Sequence, residues 1–182
     1  MRRIFAVALA GGLAFAFTSL AGEHAYTGVK KCSMCHKGEK HGLVYETWKE
    51  SAHAKAFTVL GEENAAEVYA KLGRSGSPQE DPECLACHVT GYGADTSLTA
   101  RLIPDNGVTC EACHGAGGDY WKKKVMQDKD AAVANGLVLS PKENCVTCHN
   151  EKSPTYKPFD FEEYWAKIKH GLPEPVEAET SE

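Results

Sequence analysis

The hydrophobic residues of this chain fall into short runs with helical spacing, and polar or glycine-rich segments separate the runs. The longest run predicts one helix from position 42 or 43 to position 60, because its apolar side chains recur three or four positions apart: Tyr45, Trp48, Ala52, Ala56 and Val59. A second helix is predicted over residues 64–72, with Asn64 as its N-cap and Gly73 just past its end. Residues 73–81 have the composition of a loop.

Capping signals predict the remaining helices. Asp81 followed by proline predicts a helix start, and residues 120–135 are predicted to be helical up to Gly136. Capping-box patterns at residues 140–143 and 160–163 begin two more helices, and the second of these carries His170 in its last turn. Residues 23–31 are predicted to be extended and residues 89–108 irregular, with a small hairpin as one option. The pattern therefore predicts a mainly α fold with long irregular loops.

All eight cysteines lie in four Cys-x-x-Cys-His pentads. This spacing is typical of c-type haem attachment, in which both thiols form thioethers to one porphyrin and the adjoining histidine ligates the iron. The sequence therefore predicts four covalently bound haem c groups, held by four sets of residues: Cys32, Cys35 and His36; Cys84, Cys87 and His88; Cys110, Cys113 and His114; Cys145, Cys148 and His149.

Disulfides and structural zinc are the alternatives for so many cysteines. Eight cysteines in an exported chain can pair, and Cys-x-x-Cys is also a common half of a zinc site. Neither alternative requires a histidine directly after the second cysteine. Only 8 of the 182 residues are histidine, so four such placements favour haem strongly.

The two ends of the chain are predicted to lie outside the haem domain. Residues 1–21 have the pattern of a cleaved signal peptide, with Arg2 and Arg3 before an apolar stretch and a small-residue cleavage site ending at Ala21. The stretch is short for a bilayer span, so we expect cleavage rather than a retained anchor, and no membrane span afterwards. Export indicates the periplasm or the cell exterior. We expect a tetrahaem domain over residues 22–172 and a disordered acidic tail over residues 173–182.

Charge and length restrict the partners and the core. Signal cleavage would change the formal net charge from −5 to −7, which argues against nucleic acid and favours a redox partner with a basic docking patch. The oligomeric state is left open. About 40 residues per haem are too few for a conventional core around each group, so we expect the four haems themselves to form the core, with the peptide wrapped around them.

Four histidines remain as candidate distal ligands after the pentads are counted. His53 is the best candidate because small alanine side chains flank it, and His170 follows from its place on an amphipathic helix. His41 lies in a polar segment, where a solvated loop histidine is the alternative. His24 lies near the new N-terminus, where disorder is the alternative. Met126 could serve as a thioether ligand, although core packing is its usual role.

Five segments between residues 29 and 170 carry a resemblance to a known family: residues 30–36, 48–56, 84–93 and 107–117 and the last pentad. The most specific parts are Trp-Lys-Glu-Ser-Ala-His-Ala-Lys-Ala at residues 48–56 and the glycines that follow the pentads, as in Gly-Val-Thr-Cys-Glu-Ala-Cys-His-Gly-Ala-Gly at residues 107–117. With these segments the chain resembles the tetrahaem cytochrome c-554 family of periplasmic multihaem cytochromes. The resemblance implies a mostly helical fold around closely stacked haem pairs, used as an electron conduit, and it supports His53 and His170 as distal ligands.

One segment departs from the family pattern. Family members from nitrifiers carry a further distal histidine soon after the glycines that follow the third pentad, whereas residues 118–135 contain none. The resemblance therefore implies that His24, His41 or Met126 substitutes for it, or that one iron is left open.

Electron transfer in an anaerobic or nitrogen-linked respiratory chain is the predicted function, without enzymatic activity. One alternative is a haem enzyme that reduces a small nitrogen species at an open five-coordinate haem. Another is a structural subunit of a haem-bearing assembly.

Overall fold

All regular secondary structure is helical in the part of the chain that the computed structural model describes, which is residues 24–139 and 142–171. These ranges contain no β-strand, and their longest helix has nine residues. The predicted mainly α fold with long irregular loops is confirmed. The helices are α1 Val29–Ser33, α2 Val44–Glu50, α3 Glu63–Lys71, α4 Pro82–His88, α5 Thr96–Thr99, α6 Cys110–His114, α7 Lys123–Met126, α8 Lys129–Ala134, α9 Lys142–Cys148 and α10 Phe161–Ile168, with 3₁₀ turns at Glu39–His41, Thr58–Gly61, Pro78–Glu80 and Pro104–Asn106.

Several predictions fall outside these ranges. They are the signal peptide at residues 1–21, the acidic tail at residues 173–182, and the first half of the capping box at Ser140 and Pro141. The helix expected after that box is present as α9. Among the helices described, none combines the length and apolar character needed to cross a bilayer.

The single helix predicted over residues 42–60 is wrong. Helix α2 ends at Glu50, and the next residue, Ser51, takes an extended conformation (φ −71°, ψ 161°) and donates its hydroxyl hydrogen to the Trp48 carbonyl at 2.6 Å. A serine that bonds the backbone in this way competes with helix continuation. Turns follow, and the segment closes with the 3₁₀ turn Thr58–Gly61. His53 therefore lies in an irregular segment and not on a helix.

Two other helix predictions need correction at their ends or middle. Helix α3 starts after Glu62, so Asn64 is not its N-cap, although Gly73 does take the expected positive φ of 71° past its end. The helix predicted over residues 120–135 is two helices, α7 and α8. They separate because the Asp128 side chain caps α8, accepting the Ala131 N–H at 3.0 Å.

Two predicted helix starts are confirmed by their caps. The Asp81 carboxylate accepts the Glu83 N–H at 2.7 Å, with proline at the first helical position. The Asp160 carboxylate accepts the Glu163 N–H at 3.0 Å. The far end of that second helix differs from the prediction, because α10 stops at Ile168 and leaves His170 just beyond its last turn.

Residues before α1 and between α4 and α6 also differ in detail. In the described part of the predicted extended lead-in, residues 24–28 are non-helical, and α1 already begins at Val29. Residues 89–108 contain α5 and one 3₁₀ turn in place of the optional hairpin. The Asp95 carboxylate caps α5 by accepting the Ser97 N–H at 2.7 Å.

Few apolar side chains are buried for a chain of this length. Within the described ranges they are Val29, Ala56, Leu60, Leu85, Tyr120 and Ala132. Polar contacts between elements compensate. Asp81, for example, accepts hydrogen bonds from Tyr69 and Arg74 at 2.8 Å each, which ties α3 to the start of α4. The Tyr69 hydroxyl and the Glu83 N–H hold the pKa of the Asp81 carboxyl below its usual range.

Gly107 connects the segment of His53 to the segment before the third pentad. It has φ +63° and ψ −132°, and a Cβ there would lie 2.7 Å from the His53 carbonyl oxygen. That same oxygen accepts the Val108 N–H at 2.9 Å, and the Trp48 indole donates to the Val108 carbonyl at 2.9 Å. The backbone of this pairing therefore leaves no room for a side chain at residue 107.

A positive φ costs a residue with a side chain about 1–2 kcal/mol. We predict that Gly107→Ala lowers the free energy of unfolding by more than this amount, because the added methyl group also meets the His53 carbonyl oxygen. Gly93→Ala is the matched control, because Gly93 has φ +84° but no atom within 4 Å of the position that an added methyl group would take. Urea unfolding followed by far-ultraviolet circular dichroism measures both variants. Equal losses would contradict the role assigned to the His53 contact.

Candidate haem-binding site

Each Cys-x-x-Cys-His pentad occupies about one turn of helix. The third pentad is α6 itself, and the second forms the end of α4. In the first and fourth pentads the histidine N–H continues the turn, bonding the Cys32 carbonyl at 3.0 Å and the Cys145 carbonyl at 2.9 Å. Residues three and four apart share one side of a helix, so both thiols and the imidazole of a pentad leave from the same side. That arrangement fits two thioethers and one iron ligand on one porphyrin.

Backbone carbonyls orient two of the pentad histidines. The Nδ1 atom of His88 lies 2.5 Å from the Ala56 carbonyl oxygen, and the Nδ1 atom of His114 lies 2.9 Å from that of Val138. A carbonyl only accepts, so Nδ1 carries the proton and donates in both pairs. The lone pair is then on Nε2, which is the state that a metal ligand requires.

Two pairs of histidines from segments distant in the chain come close together in the structure. The rings of His53 and His149 have centroids 6.1 Å apart, and those of His114 and His170 have centroids 5.9 Å apart. Two imidazoles bonded to one metal ion from opposite sides, each at about 2 Å, have centroids on the order of 6 Å apart. Both pairs therefore have the separation that ligation of one iron by two histidines demands.

Burial favours the neutral form of these imidazoles. It lowers the pKa of His53, with nearby His149 adding to the effect, and it lowers the pKa of His149 itself. Burial followed by the proximity of His114 lowers the pKa of His170. Neutral imidazole is the form that binds metal, so the surroundings suit ligation.

The cysteines show which pentads are neighbours. A hydrogen bond to Cys110, together with burial, raises the pKa of Cys32, so the first and third pentads adjoin. Burial raises the pKa of Cys87 to about 11, with Cys148 close by, so the second and fourth pentads adjoin. Burial likewise raises the pKa of Cys113 to about 11, with Cys145 of the fourth pentad close by. In space, the pentads therefore adjoin one another in the order first, third, fourth, second.

His24 is held in place by contacts with two other segments. Its Nδ1 atom lies 2.6 Å from Oδ2 of Asp119. Its ring lies against Gly136, where a Cβ would come within 2.8 Å of Cδ2. The neighbouring backbone is fixed too, because the Tyr26 N–H donates to the Leu98 carbonyl at 2.8 Å.

The other two ligand candidates show less. His41 is exposed in the 3₁₀ turn Glu39–His41. Burial lowers the pKa of His36, and the nearby His41 lowers it further. Met126 is half-buried at the end of α7.

Some contacts of the site have no counterpart in the sequence prediction. The carbonyls of Ala56 and Val138 leave no sequence signal, because every residue has a carbonyl. Asp119 and Glu111 do leave a weak one. Asp119 is the first acidic residue after the glycines that follow the third pentad, and Glu111 is a charged residue inside that pentad. The Glu111 carboxylate is buried and accepts three backbone N–H groups, from Thr27, Gly28 and Gly117.

Known proteins resemble the chain over the same segments. The family described as cytochrome c554 and c-prime matches residues 31–115, which include the first three pentads. Cytochrome c-554 of Nitrosomonas europaea is 32% identical over 167 residues, which cover 82% of this chain and 69% of that protein. No solved structure shows a significant match. The helical pentads and these two matches together show that the chain belongs to the cytochrome c-554 family, whose members are c-type cytochromes that carry electrons on covalently bound haem.

Proposed function

We propose that this protein is a tetrahaem electron carrier, exported to the periplasm or the cell exterior and acting in an anaerobic or nitrogen-linked respiratory chain. Haem c attached at each pentad would supply one-electron redox chemistry. The observation that carries the proposal is the pair of histidine contacts with ring centroids about 6 Å apart, His53 with His149 and His114 with His170. The fourth pentad lies outside the family match, yet its turn has the same backbone bonding as the first.

The roles of the histidines follow from these contacts. His36, His88, His114 and His149 would be the proximal ligands. His53 would be the distal ligand opposite His149, and His170 the one opposite His114. An iron with two histidine ligands has no position for a substrate, so these two haems would only accept and pass on electrons.

His24 is the best supported distal ligand for one of the two remaining haems. A metal-bound histidine commonly donates its second ring N–H to a carboxylate, which fixes the tautomer and the ring orientation. Asp119 has that relation to His24, at 2.6 Å. Asp119 lies in the segment where the family pattern has a distal histidine and this chain has none. His24 would take the place of that missing histidine. His41 stays a prediction for the last haem.

The order of the pentads supports a conduit. Neighbouring thiols connect the first pentad to the third, the third to the fourth and the fourth to the second. Attached haems would follow the same order, so electrons would pass along one continuous series. The formal net charge of −5 favours a partner with a basic docking patch, whose binding would weaken with salt.

Reduction of a small nitrogen species at an open haem is a second candidate function. The contacts between histidine rings favour this candidate. Within residues 24–139 and 142–171, His114 and His149 each contact a second histidine ring, whereas His36 and His88 do not. An iron bound only by one of those two would be able to bind a small molecule.

We predict four haems c per chain. A pyridine haemochrome assay and the intact mass of the purified holoprotein measure the number. The double variant Cys145→Ala and Cys148→Ala should carry three, because the fourth pentad then has no thiol. Fewer than four haems in the wild type would contradict the tetrahaem proposal.

We predict that His53→Ala converts one low-spin haem into a high-spin haem, because alanine removes the ligand opposite His149. Electron paramagnetic resonance of the oxidised protein measures the change. Lys55→Ala is the control, since it alters an exposed side chain of the same irregular segment. An unchanged spectrum in His53→Ala would refute the assignment.

We predict that His24→Ala also produces one additional high-spin haem, whereas Asp119→Asn keeps the low-spin state but weakens the bond. Loss of an orienting carboxylate typically costs about 10–100-fold in metal affinity. Cyanide titration should therefore show tighter binding at one haem of Asp119→Asn than in the wild type. Unchanged spin states in His24→Ala would show that the hydrogen bond between His24 and Asp119 only fastens residues 24–28 to the rest of the structure.

A further inference from the structure

A buried carboxylate joins the first and third pentads. Glu111, the residue after Cys110, is 3% exposed. Its Oε1 atom accepts the Thr27 N–H at 2.8 Å and the Gly117 N–H at 2.7 Å, and its Oε2 atom accepts the Gly28 N–H at 2.8 Å. One side chain of the third pentad therefore holds both the segment that leads into the first pentad and the glycine turn behind the third.

The bonding around Glu111 suits a charged group. Three N–H donors of the backbone stabilise a carboxylate without neutralising it, since the donors carry only partial charges. Within the described ranges no lysine, arginine or histidine forms an ion pair with Glu111. The site therefore contains a net negative charge, and burial leaves that charge little screened by water or salt.

The field of this charge reaches groups at both pentads. The pKa of Cys32 in the first pentad is raised chiefly by its hydrogen bond to Cys110 and by burial, and Glu111 adds to the rise. Burial raises the pKa of Tyr120, and Glu111 is its first charged influence. Tyr120 lies beside the third pentad, donating its hydroxyl hydrogen to the Gly115 carbonyl at 2.7 Å.

We propose that Glu111 is an electrostatic determinant of reduction potential, and that its buried charge lowers the potentials of the haems attached at the first and third pentads. The inference rests on the proposed function, because it requires haem at both positions. Reduction transfers one electron from a redox partner to the iron and takes ferric haem to ferrous haem. Ferric haem carries one more positive charge, so a nearby negative charge stabilises the oxidised form and opposes reduction.

The acidic residues beside the other two pentads differ in their surroundings. Glu83, which precedes Cys84, is exposed and forms an ion pair with Arg74. Glu143, two residues before Cys145, is exposed in the first turn of α9. Solvent or a paired cation weakens both charges, so the effect proposed for Glu111 is specific to the first and third pentads.

The test compares three variants of the haem-loaded protein by optical redox titration. Glu111→Gln keeps the size of the side chain and removes its charge. We expect the reduction equilibria of two haems to shift about tenfold toward the reduced form, which is about 59 mV for a one-electron couple. Glu111→Asp keeps the charge but shortens the reach to the N–H groups, and its potentials should stay close to those of the wild type. Glu143→Gln is the exposed control and should leave all four potentials unchanged.

The outcomes separate a charge effect from a structural one. A fully loaded Glu111→Gln protein with wild-type potentials would overturn the proposal. So would equal rises in Glu111→Gln and Glu111→Asp, since the common cause would then be loss of the hydrogen bonds. If Glu111→Gln does not retain its haems, Glu111→Asp decides, because raised potentials in a variant that keeps the charge contradict the inference. A haem count below four in the wild type would instead defeat the tetrahaem proposal, independently of Glu111.

Discussion

One geometric constraint shapes the whole chain: each Cys-x-x-Cys-His pentad must form a turn of helix. Only then do the residues at positions one, four and five of the pentad share a side. A single turn is enough, and α6 consists of the five residues Cys110–His114 and no more. Helices of this length are not stable alone, so the structure has to hold each turn from outside.

Hydrogen bonds to the backbone provide much of that support. Asp81 caps the helix of the second pentad and binds the Tyr69 and Arg74 side chains. Glu111 fastens the third pentad to residues 27 and 28, directly before the helix of the first. With so few buried apolar side chains, such contacts matter more here than in a conventional helical domain. They also place charge and fixed donors beside the positions where haem would be attached.

What the sequence predicts correctly is local, and what it misses depends on distant or competing contacts. The pentads and the caps at Asp81 and Asp160 are visible because cause and effect lie within five residues. The end of α2 before Ser51 cannot be read from the sequence, because the helical spacing of apolar residues continues past this position. In the structure the Ser51 hydroxyl donates to the Trp48 carbonyl and the helix stops. The hydrogen bonds of Glu111 to Thr27 and Gly28 connect residues that are more than 80 positions apart in the chain, and no local sequence pattern predicts them.

Ligation and buried charge together would distinguish the two ends of the pentad series. The histidines of the third and fourth pentads each have a second histidine ring about 6 Å away, whereas the charge of Glu111 lies at the first and third. A negative charge there would make an electron on a haem attached at either of these pentads less stable than it would otherwise be. Because the series continues from the third pentad to the fourth and then the second, that charge favours transfer away from the first end. A single side chain inside a haem-attachment motif would thus contribute to the direction of electron flow, which the cysteines and histidines shared by all four pentads could not specify.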